Sequence, residues 1–226
     1  MEAQAPAFTG TWGAVFDWDG VIIDSSTLHE ESWERLAKEA RLPLPFGHFK
    51  KGFGRKNEFI IPQILEWTND PVEIERLSLR KEALYREVVA ERGLSPLPGV
   101  RVWLERLREA GVPCAIGSST HRANIDLSLG IIGLGKFFAS IVTAEDVRHG
   151  KPNPEVFLKA AARIERPAAR CVVFEDAFVG IEAAKAGGMK VVAVATTHPL
   201  AELTAADLAV SRLDELEPAK LARWFE

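Results

Sequence analysis

Short apolar runs alternate with longer amphipathic stretches along most of the chain, and each apolar run predicts a buried strand. These runs lie at 13–18, 112–117, 140–143, 171–175 and 190–195. The stretches beside the later runs predict four helices. One ends near 110, one begins near 120, and the other two cover 154–164 and 177–187. Strands that alternate with helices in this way predict a parallel sheet covered by helices on both faces.

The region between the first two predicted strands contains only helical patterns. Thr27 and Glu30 form a capping-box pattern, which predicts a helix that begins there and runs for about four turns. A second helix is predicted over 57–68. Asp70, followed by a proline, predicts the start of a third helix, and Gly93 predicts its end.

These patterns together predict an α/β fold with a Rossmann-like parallel-sheet core and an inserted small all-α cap domain. The core is predicted to comprise residues 1–27 and 93–226, and the cap residues 28–92. The two connections between them, 24–27 and 94–98, are the expected hinges for closure of the cap.

Composition narrows the class of protein. The chain has 226 residues, a net charge of -4 and no basic excess, so nucleic acid is not an expected partner. Cys114 and Cys171 each begin an apolar run, which favours buried reduced thiols over a disulfide. Residues 1–10 lack the pattern of a signal peptide, and no apolar run is long enough to span a membrane. We therefore expect a soluble cytoplasmic protein, either a monomer or a small homo-oligomer.

Chemically active residues follow the predicted strands at their carboxyl ends. The carboxyl ends of parallel strands meet at one edge of a sheet, where ligands bind in open α/β folds. One lysine and four acidic residues, together with small hydroxyl residues, are expected to meet there: Asp17, Asp19, Ser118, Ser119, Thr120, Lys151, Glu175 and Asp176.

Four converging carboxylates need a compensating charge. Two unit charges about 4 Å apart repel by roughly 4 kcal/mol at an effective dielectric constant of 20. Oxygen ligands without histidine or cysteine favour Mg²⁺. Mg²⁺ with a lysine and hydroxyl donors is suited to phosphoryl transfer, in which one carboxylate acts as nucleophile and a second as acid and base.

The same residues, in this order and spacing, resemble the motifs of the haloacid dehalogenase-like superfamily. They are Asp17-Trp18-Asp19-Gly20, Ser118 after an apolar strand, Lys151 before a proline, and Glu175-Asp176 followed by Gly180. The helical block falls where this superfamily inserts its small cap. His29, Trp33 and the segment KGFGR (51–55) further resemble the β-phosphoglucomutase-like branch, which also contains many phosphatases.

The resemblance implies roles for individual residues. Asp17 would be the nucleophile and Asp19 the general acid and base, while Ser118 and Lys151 would hold the transferring phosphoryl group. The Mg²⁺ ligands would be Asp17, the backbone carbonyl of Asp19, Glu175 and Asp176. The residues expected to bind the rest of the substrate are Ser119, Thr120, Arg55, His29 and Lys81.

Two further residues of the first motif carry expectations of their own. Trp18 departs from the leucine or methionine that is usual in the family, and we expect it to shape the entrance of the site. Asp24 is expected to tether the turn that leads into the cap.

The sequence thus predicts a Mg²⁺-dependent phosphatase that hydrolyses a small phosphorylated metabolite through an aspartyl-phosphate, with a sugar phosphate favoured. One alternative is a β-phosphoglucomutase-type mutase, in which the phosphoryl group returns to another hydroxyl. The other is a non-catalytic metabolite-binding protein, which would need a broken motif, and the sequence shows none.

Overall fold

A computed structural model describes residues 10–226, and its strands form one parallel sheet of six in the order β3-β2-β1-β4-β5-β6. The strands are β1 Gly13–Phe16, β2 Cys114–Gly117, β3 Ser140–Val142, β4 Cys171–Glu175, β5 Lys190–Val194 and β6 Leu208–Val210. The α-helices are α1 Ser26–Ala40, α2 His48–Gly52, α3 Asn57–Gln63, α4 Pro71–Arg92, α5 Val100–Glu109, α6 Arg122–Ile132, α7 Glu155–Arg163, α8 Phe178–Ala186 and α9 Pro218–Ala222. The predicted α/β class is confirmed. Strand order reverses beside β1, so the crevice expected at such a point lies at the end of the first motif.

The sheet is buried on both faces because successive side chains of a strand point in opposite directions. Ala14 and Phe16 of β1 join the hydrophobic cluster that includes Trp103 of α5 and Ile125 of α6. Val15 joins a second cluster, on the opposite face, to which α7 and α8 contribute. Every residue of β1 is buried, as expected for a central parallel strand.

Five helices lie between β1 and β2, and the first four of them, α1 to α4, are called the helical insert below. They have their own hydrophobic cluster, which includes Trp33, Ile61 and Leu77 and is separate from the two clusters that flank the sheet. The connections to the insert pair with each other, since the Leu97 amide donates to the Ile22 carbonyl at 2.9 Å. The division into a core of residues 1–27 and 93–226 and a cap of residues 28–92 stays a prediction.

Two local predictions for the insert differ from the structure. The predicted capping box is wrong, because α1 begins at Ser26 with Ser25 at its N-cap, and no side chain caps it. The Ser25 hydroxyl instead donates to Asp19 Oδ1 at 2.5 Å, so a tertiary contact has taken the hydroxyl that could cap the helix. The second predicted helix is shorter than 57–68, since α3 ends at Gln63. The predicted start of α4 is confirmed, with Asp70 Oδ1 accepting a hydrogen bond from the Val72 amide at 3.2 Å.

The expectations for Trp18 and Asp24 are also corrected. Trp18 is fully buried in the cluster beneath α5, so it cannot shape the entrance of the site. Asp24 is exposed at the surface. The turn into the insert is tethered instead by Ser25, through its bond to Asp19, and by the backbone pairing of the two connections.

The cysteine prediction is confirmed, and one sequence expectation lies largely outside the described residues. Cys114 and Cys171 are free and buried, and burial raises the pKa of each thiol to about 12.

The signal-peptide expectation concerns residues 1–10, of which 1–9 lie outside the described residues. Between residues 10 and 226, none of the helices has the length and apolarity needed to cross a membrane.

Candidate active site

The strand-end residues meet at the carboxyl edge of the sheet, beside a pocket between this edge and the helical insert. Backbone bonds continue the strand pairing to this edge: the Asp17 amide donates to the Phe174 carbonyl and the Ser118 amide to the Val142 carbonyl, both at 3.0 Å. Eight of the predicted residues line the pocket: Asp17, Asp19, His29, Arg55, Lys81, Ser118, Ser119 and Thr120. Lys151, Glu175 and Asp176 are buried beside Asp17.

Lys151 joins two of the carboxylates. Its ammonium lies 2.9 Å from Asp17 Oδ1 and 2.6 Å from Glu175 Oε1, and its side chain is inaccessible to solvent. Burial alone would lower the pKa of Lys151, but the two carboxylates outweigh burial and raise that pKa above its usual range. Lys151 is therefore a permanent positive charge in contact with the predicted nucleophile.

Glu175 is held by three donors. Its Oε1 accepts from Lys151, and its Oε2 accepts from the amides of Asp176 and Ala177, each at 2.6 Å. A Cβ on Gly180 would lie 1.6 Å from Oε1, so a glycine is required where the carboxylate passes the first turn of α8. Glu175 therefore fixes both Lys151 and the loop that carries Asp176.

The acidic cluster fits a divalent cation. Oxygen atoms of Asp17, Glu175 and Asp176 lie within 4.8 Å of one another. Oδ1 of Asp176 is buried without a hydrogen-bond partner, and Oδ1 of Asp17 has the nearby Lys151 charge but no well-directed hydrogen bond. Such unpartnered buried oxygens are costly unless something else binds them, and carboxylates are the ligands that hard divalent cations prefer.

The electrostatics of the cluster lead to the same conclusion. Burial, and then repulsion from Glu175, raises the pKa of Asp176 well above its usual range. Burial raises the pKa of Asp17 to about 7, although Lys151 opposes the change. One lysine does not balance three buried carboxylates. A divalent cation would supply the missing positive charge and restore the ionised form that a nucleophile needs.

Gly20 closes the cluster from the side of the first motif. Its φ of +75° is in the left-handed region, and a Cβ there would lie 1.9 Å from Asp176 Oδ2. The same oxygen accepts a hydrogen bond from the Thr197 hydroxyl. Thr196 and Thr197 follow β5 and were missed by the sequence reasoning, although the rule that ligands gather at strand ends applies to them as well.

Asp19 is held by three side chains. Its Oδ1 accepts from Ser25 at 2.5 Å and from His29 Nε2 at 3.2 Å, and its Oδ2 accepts from the Thr120 hydroxyl. Burial would raise the pKa of Asp19, but His29 and the two hydroxyls outweigh it and hold that pKa below its usual range. Thr120, expected at the substrate, is bonded to the predicted acid and base.

The other residues that were expected to bind substrate mostly contact protein groups. Lys81 donates to His29 Nδ1 at 2.7 Å and lies 3.0 Å from Glu82 Oε1. The Arg55 guanidinium lies 4.3 Å from the centroid of the Phe59 ring, while still lining the pocket. Ser119 donates to the Gly54 carbonyl at 3.1 Å, so it joins the sheet edge to the segment 51–55.

Several lining residues were missed by the sequence reasoning. Trp33, His48, Phe49, Phe53, Asn57 and Glu82 also line the pocket. They are contributed by α1 to α4 and the loop after α2, and no strand-end rule applies to a helical segment. The pairing of Glu82 with Lys81 depends on a tertiary arrangement that the neighbouring positions in the sequence do not reveal.

Known proteins are similar to this chain in sequence and in fold. A family model described as haloacid dehalogenase-like hydrolase matches residues 13–188. The chain therefore belongs to the haloacid dehalogenase-like hydrolases, and the resemblance stated from the sequence is confirmed.

Three relatives illustrate the relationship. The chain is 41% identical over 210 residues to a chloroplastic 5-amino-6-(5-phospho-D-ribitylamino)uracil phosphatase of Arabidopsis thaliana, covering 92% of this chain but only 56% of that protein. It is 32% identical over 213 residues to a β-phosphoglucomutase of Bacillus subtilis, covering 89% and 90% of the two chains. The crystal structure of a β-phosphoglucomutase from Clostridium difficile superposes with a TM-score of 0.83 at 24% identity, covering 94% of this chain and 96% of that one. This structural likeness supports the parallel-sheet fold.

Proposed function

We propose that this protein is a Mg²⁺-dependent phosphatase that hydrolyses a small phosphorylated metabolite through an aspartyl-phosphate. The observation that carries the proposal is the buried cluster of Asp17, Asp176 and Lys151 beside the pocket, in which two carboxylate oxygens lack hydrogen bonds. The meeting of Asp17, Asp19 and Lys151 at one pocket supports catalysis over the alternative of a non-catalytic binding protein.

Each residue has a chemical role in this proposal. The carboxylate of Asp17 attacks phosphorus, and the bond from phosphorus to the leaving oxygen breaks. Ser118 and Lys151 hold the phosphoryl oxygens. Asp19 is ionised in this structure, so it takes up a proton from solvent before the step and then donates that proton to the leaving oxygen. Asp19 then takes a proton from water as the water oxygen attacks phosphorus. The bond from phosphorus to the Asp17 oxygen breaks, which releases inorganic phosphate and restores the Asp17 carboxylate.

The cation would be held by Asp17 and Asp176, with Glu175 beside them and the backbone carbonyl of Asp19 contributing as the family resemblance implies. When bound, Mg²⁺ would neutralise the charge of the phosphoryl group and of the carboxylates that face it.

The distal part of the pocket is the part lined by the helical insert, away from Asp17. The charges near it favour hydrolysis over mutase chemistry. A mutase must hold a second phosphate, which needs free cations. Lys81 is neutralised by Glu82, and the Arg80 guanidinium is paired with Glu39 and Glu87. Arg55 is thus the main candidate for a distal anion. The 41% identity to a phosphatase, against 32% to a mutase, agrees with this order.

The distal wall also suggests which phosphate esters to test. Trp33, Phe49 and Phe53 line it, and such aromatic faces suit the apolar side of a sugar, a polyol or a planar ring. A substrate panel should therefore contain sugar phosphates, polyol phosphates and the 5-phosphoribitylamino-uracil on which the plant relative is named to act.

The proposal is tested by phosphate release from this panel with Mg²⁺ and with a chelator. We expect release that needs Mg²⁺ and is abolished by Asp17→Asn. The matched control is Asp24→Asn, which changes an exposed aspartate of the same segment and should retain full activity. Turnover that persists in Asp17→Asn, or that a chelator leaves untouched, would contradict the proposal.

The runner-up is tested separately. Incubation with β-glucose 1-phosphate and a trace of the bisphosphate should give free phosphate, whereas glucose 6-phosphate would mean a mutase. Cytoplasmic location, the absence of nucleic-acid partners, and a monomeric or small homo-oligomeric state stay predictions from the sequence.

A further inference from the structure

Glu82 is a buried carboxylate for which the motifs of the sheet edge provide no role. It lies on α4, is 4% exposed and lines the active-site pocket. Three donors from three helices converge on it: Asn57 Nδ2 at 2.7 Å and Lys81 Nζ at 3.0 Å contact Oε1, and Asn124 Nδ2 contacts Oε2. Burial opposes ionisation, but the Lys81 ammonium outweighs it and the pKa of Glu82 is lowered to about 2, so Glu82 is a carboxylate near neutral pH.

One side of this network joins the helical insert to the sheet-covering helix α6. Asn124, in the first turn of α6, is fully buried. Its Nδ2 donates to Glu82, and its Oδ1 accepts from Arg86 Nη1 at 2.9 Å. Both partners belong to α4, so both polar atoms of the Asn124 side chain bind the helical insert. Asn124 also lies four residues after Thr120, which holds Asp19.

The other side of the network leads to Asp19. The ammonium of Lys81 can only donate, so His29 Nδ1 accepts its hydrogen bond at 2.7 Å. The proton of the neutral imidazole is therefore on Nε2, which donates to Asp19 Oδ1 at 3.2 Å. The ring is also stacked on Tyr85, with centroids 4.0 Å apart and an interplanar angle of 14°.

We infer that Glu82 is a positioning residue, which couples the docking of the helical insert on α6 to the orientation of Asp19. The inference rests on the proposed phosphatase function. Without the carboxylate, the buried ammonium of Lys81 has no counter-ion and leaves its position, because a buried charge needs a partner. His29 then loses the bond that sets its tautomer, and Asp19 loses one of its three donors, the one that the helical insert contributes.

A leaving-group comparison separates this role from a merely structural one. An alkyl phosphate from the active panel needs a proton on its leaving oxygen, whereas p-nitrophenyl phosphate releases a stable anion and needs little help from an acid. We expect Glu82→Gln to lower kcat for the alkyl ester at least about tenfold, as part of the 10²–10⁴ that general acid–base catalysis supplies. The kcat for p-nitrophenyl phosphate should change less than about twofold by the same reasoning.

The matched control is Ser78→Ala. Ser78 is buried on the same helix and accepts a hydrogen bond from Asn57 Nδ2 at 2.9 Å, but it does not line the pocket. This variant should change kcat for the two esters by the same factor. An equal loss for both esters in Glu82→Gln, or no loss for either, would overturn the positioning role.

A second variant covers the case in which Glu82→Gln does not fold. Asn124→Ser breaks the contact from the α6 side and leaves Glu82 and Lys81 in place. It should again slow the alkyl ester more than p-nitrophenyl phosphate, and equal effects would overturn the inference. Wild-type protein that hydrolyses neither ester would instead overturn the proposed function itself.

Discussion

Gly180→Ala tests whether the packing of Glu175 is as tight as the structure shows. The new Cβ would lie 1.6 Å from Glu175 Oε1 and 2.0 Å from its carboxyl carbon, and a contact below 3.0 Å forces a displacement. The new Cβ is fixed to the backbone of α8, so the Glu175 carboxylate must move. Oε1 would then leave the Lys151 ammonium, which it contacts at 2.6 Å.

The expected magnitude follows from these contacts. Breaking a buried ion pair by displacing one partner costs about 3–5 kcal/mol, and overpacking alone costs about 1–3 kcal/mol. Moving the carboxylate relieves the overpacking, so the two costs are not added. The larger one, that of the broken ion pair, sets the expected loss. Alanine in a helix returns about 1 kcal/mol relative to glycine. We therefore expect a net loss of about 2–4 kcal/mol in the free energy of unfolding.

The assay is urea denaturation followed by circular dichroism, with kcat measured on the same preparations. Gly130→Ala is the matched control, because Gly130 lies in α6, is exposed, and has open space within 4 Å of the position that a Cβ would take. It should gain about 0.5–1 kcal/mol from helix propensity and keep full activity. If Gly180→Ala proved as stable and as active as this control, the close passage of Glu175 over that glycine would be refuted.

Two other predictions concern the acidic cluster that would bind Mg²⁺ and the hydrogen-bond network around Glu82. Mg²⁺ at about a hundredfold excess over its Kd should stabilise the fold by about 2.7 kcal/mol, measured as a shift in Tm by calorimetry; Asp176→Asn should lose most of the shift and Asp24→Asn none. Acid denaturation should report Glu82, because burial opposes its ionisation but the Lys81 ammonium outweighs burial and lowers the pKa from 4.5 to about 2. Because the folded pKa lies below the unfolded one, its contribution to stability is complete above about pH 4.5 and is lost as the pH falls towards 2. Glu82→Gln should therefore flatten the dependence of unfolding free energy on pH in that window, and an unchanged slope would contradict the assignment.

The residues at the sheet edge could be predicted because topology constrains them. In a parallel sheet every strand ends at the same edge, so the residue after each apolar run can be placed from the chain alone. Asp17, Ser118 and Glu175 follow this rule, and the structure brings Lys151 to them from the loop after β3. The remaining contact, between Asp176 and Thr197, follows the same rule, although the sequence reasoning did not apply it there.

The helical insert offered no such rule. Glu82, Asn57 and Asn124 lie on three helices, and their meeting depends on how those helices pack. Helical periodicity predicts which face is buried, but it does not predict which polar groups are matched on that face. Ser25 shows the same difficulty at a single residue. Its hydroxyl could cap α1 or bind Asp19, and only the folded chain shows that it binds Asp19.

Trp18 could have been placed correctly from the sequence. Side chains alternate between the two faces along an extended segment, so Ala14, Phe16 and Trp18 point to one face of the sheet. All three belong to the cluster that packs against α5, while Val15 belongs to the opposite one. The two aspartates at the flanking positions therefore leave the tryptophan directed into the core. The same alternation that brings Asp17 and Asp19 to the pocket keeps Trp18 out of its entrance, and a bulky apolar residue there extends the hydrophobic core up to the catalytic edge.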